Sequence, residues 1–317
     1  MKPTTTMVSL VEDYLEYRRR LGFALESDAR RLLCFARFAD QVGHRGPITE
    51  ELALRWASSS TRTTAITRAG RLKILSPFAK YRLQFDPATE VAPPGLCGQG
   101  YRRLTPHIYS KEEIDALLVA ARQLPPAGGL RPLTCETVFG LLAATGLRIS
   151  EALALRRLDV DLERGLLTIR QSKFRKSRLV PPLHPTTAEV LRAYACDRDK
   201  RLPASTTDAF FVSDRGRAMN YRQIEYAFAC LRAQLGWRAR GGHPHPRIHD
   251  LRHSFICRRL IGWYQEGINV DNAMLGLSTY VGHTQVTDTF WYVTGIPELM
   301  AIASDRFERF NQGGSHA

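Results

Sequence analysis

The 317-residue chain lacks any run of about 18 consecutive apolar residues, which excludes a membrane-spanning helix. Its first twenty residues, MKPTTTMVSLVEDYLEYRRR, have no apolar stretch of the kind a secretory signal carries, so a cytoplasmic location is expected. It also lacks a C-x-x-C pair. Cys34, Cys97, Cys135, Cys196, Cys230 and Cys257 are scattered, as free thiols in a reducing compartment are. Internal repeats and low-complexity tracts are absent, and an ordinary apolar content of 44% excludes a disordered chain. Acidic residues are scarce: 31 Asp and Glu face 45 Lys and Arg, a net charge of +14. An excess of that size calls for a polyanionic partner, first of all nucleic acid. No basic amphipathic helix or lipidation signal points to a membrane surface instead. Residues 1–107 hold 17 basic and 10 acidic side chains, and the remainder hold 28 and 21. The first third is therefore about twice as charge-dense as the rest, as a DNA-clamping module would be.

Residues 7–90 show helical spacing and no β-alternation. Val8, Leu10, Val11, Tyr14 and Leu15 form one stripe; Leu32, Leu33, Phe35, Ala36, Phe38 and Ala39 form a second. A third helix starts behind Thr49 as N-cap. A fourth, from Thr63 to Tyr81, carries Arg68, Arg71, Lys73 and Lys80 as candidate DNA contacts. Pro and Gly then dominate and periodicity fades, which predicts a linker over 91–107; its Tyr101, Arg102 and Arg103 are placed to touch phosphates. Ser110 with Glu113 three residues on is a capping box. An apolar helix over 134–145 ends at Thr145-Gly146, and another begins at Ser150. Leu166–Arg170 and Arg178–Pro181 read as a β-hairpin joined by Q-S-K-F-R-K-S, and helices dominate from 186 onward. The expectation is a mainly α protein: a helical module over 1–90, then a mostly α unit over 108–317 with a small antiparallel sheet.

Four short segments stand apart: Ala144–Glu151 (A-T-G-L-R-I-S-E), the hairpin turn with Lys173, Arg175, Lys176 and Arg178, Arg247–Ser254 (R-I-H-D-L-R-H-S), and V-G-H with Tyr292 nine residues after His283. Each alone has a bland reading. Arg148 could be a surface arginine, Lys173 a solvated turn, His249 and Arg252 a local pair on one helix face, and T-F-W-Y a piece of core. His249 and His253, with Cys257 one turn on, also have zinc-ligand spacing. Against that, Asp250 is a methylene shorter than the Glu of H-E-x-x-H, and Arg252 would set a cation beside the metal. No metal or other cofactor is expected.

Together and in this order the four segments resemble the active-site boxes of the tyrosine recombinases, the phage integrase family. The resemblance covers about Ser110 to Phe310. Its departures are V-G-H where L-G-H is usual, and W-Y-V-T-G-I-P-E-L-M, which is similar to integrases of transposon-like elements. It implies a helical SAM-like core-binding domain and a catalytic domain of the DNA breaking–rejoining fold, closing as a C around duplex DNA. It implies Tyr292 as nucleophile, forming a 3′-phosphotyrosyl bond, and Arg148 and Arg252 as charge stabilisers of the phosphoryl transition state. Lys173 becomes the general acid for the leaving 5′ oxygen, with Lys176 as runner-up and phosphate contact. His249 assists proton transfer with Tyr292, His283 donates to a phosphoryl oxygen, and Glu151 orients Arg148. The remaining DNA-contact candidates are Arg175, Lys176 and Arg178.

The resemblance further implies a dimer on one double-stranded site and a homotetramer on paired sites, working through a Holliday junction. Sibling recombinases or DNA-bending proteins are candidate accessory partners, and a nucleoid-associated bacterial cytoplasm the location. The alternatives are DNA relaxation of the type IB topoisomerase kind and a catalytically idle DNA-binding relative. Residues 297–310, with Leu299, Ile302, Ala303, Phe307 and Phe310 near helical spacing, are expected to form an amphipathic tail helix for a neighbouring subunit.

Overall fold

The computed structural model describes residues 6–59, 64–98, 103–170, 177–181, 183–203 and 207–295, with Met300, Ala301 and Ser304 beyond them. The chain divides into two compact units, Met1–Arg103 and Leu104–Ala317.

Among its described residues the first unit packs four helices: α1 (Met7–Arg20), α2 (Glu26–Gln41), α3 (Glu50–Ala57) and α4 (Ala65–Leu83). Threonine hydroxyls start three of them, Thr6 accepting from Ser9 N, Thr49 from Leu52 N and Thr64 from Thr67 N. The fourth helix thus begins behind Thr64, slightly later than the apolar spacing suggests, and it runs through Pro77 without ending. The Asp40 carboxylate accepts from Met7 N at 2.9 Å and Val8 N at 3.1 Å, tying the start of α1 to the end of α2. The core gathers Leu32, Phe35, Trp56 and Phe78. Burial of each such aliphatic or Phe side chain contributes about 1.5–3 kcal/mol. The stretch read as a linker is docked at both ends. Val91, Ala92 and Cys97 pack on this first core, while Gly242 N donates to Thr105 O at 2.9 Å within the second unit.

The second unit begins with α5 (Lys111–Arg122), whose capping box forms as expected: Glu113 N donates to Ser110 Oγ, and Ser110 N to Glu113. There follow α6 (Leu130–Thr145), α7 (Ile149–Leu153), β1 (Val160–Asp161), β2 (Leu166–Ile169), β3 (Arg178–Val180), α8 (Pro185–Arg201), α9 (Tyr221–Gln234), α10 (His249–Gln265), α11 (Val270–Val281) and α12 (Thr287–Gly295). The sheet is antiparallel in the order β1-β2-β3, with Val160 opposite Leu167 and Ile169 opposite Arg178. The expected hairpin is therefore β2–β3; β1, only two residues long, adds an edge. Apolar on nearly every side, α6 is buried at the centre through Val138, Phe139, Leu141 and Leu142. A smaller core joins Ile256 and Leu260 of α10, Met274, Leu277 and Val281 of α11, and Tyr292 of α12. Residues 297–310, expected as the tail helix, lie outside the described residues except for Met300, Ala301 and Ser304.

A candidate arginine-lined active site

The site is built where helices end. At the end of α6, Gly146 takes the left-handed conformation, φ +62°, that caps a helix and turns the chain. A Cβ there would collide with the Phe255 ring. Two residues on, Arg148 is the N-cap of α7, and Arg148 N donates to Glu151 at 3.0 Å. At the end of α11, Gly282 caps in the same left-handed way, φ +70°, and His283 follows.

Three successive carbonyls at that second helix end each receive one arginine. Tyr280 O accepts from Arg178 Nε at 2.9 Å, Val281 O from Arg252 Nη2 at 2.7 Å, and Gly282 O from Arg148 Nη2 at 2.8 Å. These are the carbonyls a helix leaves unpaired, at the negative end of its dipole. Arg252 Nη1 also donates to Gly146 O at 2.7 Å, so the two helix ends share that guanidinium. Glu151, 5% exposed, is gripped by Arg178 through both oxygens, at 3.0 and 2.9 Å, and by Arg148 Nη1 at 2.8 Å. Burial by itself would raise the Glu151 carboxyl, but the hydrogen bonds and charge of Arg178, then of Arg148, outweigh it and hold the group at about 2.

The charge count is uneven by design of the sequence: three guanidiniums surround one carboxylate. Burial, then the charge of Arg148, presses Arg252 down to about 9, against the opposing pull of Tyr292 and Glu151. An anion between the arginines would relieve that crowding. His249 lies in the same field. Burial, then Arg252 and Arg247, hold its imidazole down at about 4, so it is neutral near pH 7.

Tyr292, buried on α12, hydrogen-bonds through its hydroxyl to His253 Nδ1 at 2.6 Å. His249, one turn earlier on α10, meets His253 edge-on with ring centroids 4.8 Å apart. The His283 ring lies parallel to Tyr292 at 6.4 Å, and its Nδ1 is within 2.7 Å of Thr289 Oγ1. Trp291 packs edge-to-face on Tyr292 at 5.3 Å.

The structure thus brings Arg148, Glu151, His249, Arg252, His283 and Tyr292 to one place. Lys173, Arg175 and Lys176 of the hairpin turn, and Arg102, lie outside the described residues. Two expected DNA contacts are turned inward. Arg178 holds Glu151 and α11 as described, and Arg71 donates to Trp56 O and Ala57 O, closing the end of α3. In both cases the guanidinium adds donors to carbonyls at a helix end. On α4, Lys73 and Lys80 are exposed and Arg68 is half-buried, as is Arg103. The Asp250 carboxylate, weighed as a metal-site base, is occupied by Arg247 N at 2.8 Å and Nη2 at 2.7 Å. Sequence reasoning assigned His249 to the tyrosine and left His253 only as a metal-spacing residue. The H-x-x-x-H spacing put both on one helix face, without saying which meets α12.

Residues 108–296 match the model of the phage integrase family. The chain belongs to that family, the tyrosine recombinases, which cut and rejoin DNA strands in site-specific recombination. The integrase/recombinase y4rB of Sinorhizobium fredii is 41% identical over 311 residues, covering 96% of this chain and 98% of its own. The tyrosine recombinase XerA of Thermococcus kodakarensis is 27% identical over 263 residues, 82% of this chain and 83% of its own. Among solved structures, the Tn1549 transposon integrase in complex with transposon right end DNA superposes with a TM-score of 0.65 at 15% identity, covering 96% and 99% of the two chains. XerH recombinase bound to a palindromic difH substrate gives 0.63 at 19% identity, covering 95% and 85%. Those two likenesses are of fold: a mostly helical recombinase with a three-stranded antiparallel sheet.

Proposed function

We propose that this tyrosine recombinase cuts one strand of double-stranded DNA with the Tyr292 hydroxyl, holds the 3′ phosphate covalently, and passes it to a new 5′ hydroxyl. The observation that carries the proposal is the arginine cluster. Arg148, Arg252 and Arg178 crowd around the single carboxylate of Glu151, with Tyr292 near enough for its charge to act on Arg252. A phosphate diester supplies the missing negative charge, and its transition state, more negative still on the non-bridging oxygens, gains most. Arg148 and Arg252 face that charge; Glu151 and Arg178 keep Arg148 in register. His249, neutral, and His283 serve as donors to phosphoryl oxygens. Lys173 protonates the leaving 5′ oxygen, with Lys176 the alternative. The reaction takes no metal, because fixed guanidiniums occupy the role that metal ions fill in many phosphoryl-transfer sites.

The biological setting follows the relatives. Integrase/recombinase y4rB matches along nearly the whole chain, which favours integration or excision of a mobile element. Strand exchange in two steps through a Holliday junction then needs four subunits on paired sites.

The test is covalent capture from a pool of random-sequence duplexes carrying a nick, so that the short 5′-hydroxyl fragment diffuses away after cleavage. Wild-type chain is expected to trap a subset of duplexes as adducts stable to denaturant, and sequencing them yields the site. Tyr292→Phe should retain DNA and trap none. Equal trapping by that variant would refute the proposal.

A further inference from the structure

We propose that His253 accepts the phenolic proton of Tyr292 as the DNA strand is cut and returns it when the strand is rejoined; this rests on the function proposed above. The argument begins with the 2.6 Å hydrogen bond between the Tyr292 hydroxyl and His253 Nδ1. With the phenol donating, the imidazole is neutral and carries its own proton on Nε2. A phenol is a poor nucleophile until it loses its proton, so the attacking Tyr292 hydroxyl needs a proton acceptor. A base at hydrogen-bond distance from the reacting oxygen is the shortest route.

The balance is simple. The Tyr292 oxygen forms a bond to phosphorus, the bond from phosphorus to the 5′ oxygen breaks, and the phenolic proton moves to His253 Nδ1. The 5′ oxygen takes its proton from the general acid of the hairpin turn. Rejoining runs the same steps backwards, with imidazolium His253 protonating the departing phenolate.

The neighbours divide the labour between the two histidines of α10. His249 and Arg252 on α10, Arg148 between α6 and α7, and His283 after α11 all face the pair. His249 stands among Arg252, Arg247 and Arg148, which suits a ring that meets an anion. His253, one turn further along α10 than His249, has its ring against the Tyr292 ring, centroids 5.5 Å apart. Trp291 of α12 packs edge-to-face on the tyrosine, and the buried Thr289 pairs with His283. The guanidiniums nearby also favour a developing phenolate, so the proton need travel only once.

The experiment measures single-turnover adduct formation between pH 5 and 10 on a nicked duplex selected by covalent capture, for wild type, His253→Asn, His249→Asn and Tyr292→Phe. Asn places an amide near the Nδ1 position and can hydrogen-bond, but it cannot take a proton. His253→Asn is expected to slow adduct formation at pH 7 about 100-fold or more. It should also lose the acid limb of the wild-type profile and gain rate as pH approaches the phenol's own ionisation. His249→Asn should slow the reaction while keeping the acid limb. In the protein alone, the 15N shift of His253 Nδ1 should change in Tyr292→Phe. Adducts formed by wild type and by His253→Asn with the same pH profile would overturn the inference and leave the proposed function standing. A His253 15N shift indifferent to Tyr292→Phe would likewise overturn it. No adduct from wild type would overturn both.

Discussion

A carboxylate buried among three guanidiniums is stable only as an anion, and Glu151 is such a group. Its carboxyl falls from an ordinary value near 4.5 to about 2 on folding. The stability this contributes is fully present above the unfolded value and is lost as pH falls toward 2. Glu151→Gln should therefore flatten the acid side of the stability curve between about pH 5 and 2, read by urea melts at stepped pH. Arg178→Ala should do more harm, since it leaves the buried carboxylate half-paired; the expected loss is about 3–5 kcal/mol at pH 7. A loss under 1 kcal/mol would mean that Arg178 is the solvated DNA contact its place in a basic turn suggested. At this scale the site was readable through the family resemblance of four ordered segments, since an arginine behind a glycine cap, H-x-x-R on one helix face and a tyrosine nine residues after a histidine each have a bland reading alone. It was unreadable where the partner comes from far along the chain. Arg178 meets α11 about a hundred residues later, and which of His249 and His253 meets Tyr292 depends on how α12 lies on α10.

At the scale of elements, two glycine-capped helix ends do the positioning. The end of α11 offers three carbonyls to three arginines, so the V-G-H segment matters for its backbone as much as for its histidine. A Cβ on Gly282 would lie 2.6 Å from Arg178 Nη1 as well as straining a φ of +70°. Gly43 has the same φ of +70° with nothing within 4 Å of a Cβ, and so isolates the cost of strain. Gly43→Ala should cost about 1 kcal/mol and leave strand cleavage unchanged. Gly282→Ala should cost more and slow cleavage as well, checked by denaturation and adduct kinetics on both. Equal effects of the two on cleavage would contradict the positioning role of the α11 end. Most helices were legible, because amphipathic spacing and Thr or Ser caps act locally. The two-residue β1 is too short to carry a period, and the Pro- and Gly-rich stretch after α4 hid the apolar Val91, Ala92 and Cys97 that dock it.

At the scale of the whole molecule, the units Met1–Arg103 and Leu104–Ala317 each have their own apolar core. A fragment starting at residue 104 should therefore unfold cooperatively on heating and keep the His253–Tyr292 hydrogen bond, while losing most of its affinity for DNA; a fragment without a thermal transition would show that its core depends on the first unit. Charge pointed to a polyanion from the start, but a net charge cannot say whether DNA is bound or cut. The proposed function rests that distinction on three arginines, one carboxylate and one tyrosine, gathered from the start of α7, β3, α10 and α12. The central claim is that these side chains, without a metal ion, turn the Tyr292 oxygen into a nucleophile for phosphorus. The most direct measurement is peptide mapping by mass spectrometry of the DNA adduct formed in excess EDTA. The account predicts a nucleotide-bearing peptide with the phosphate on Tyr292, formed as fast with chelator as without. An adduct on another residue, or one that appears only when magnesium or zinc is restored, would contradict it.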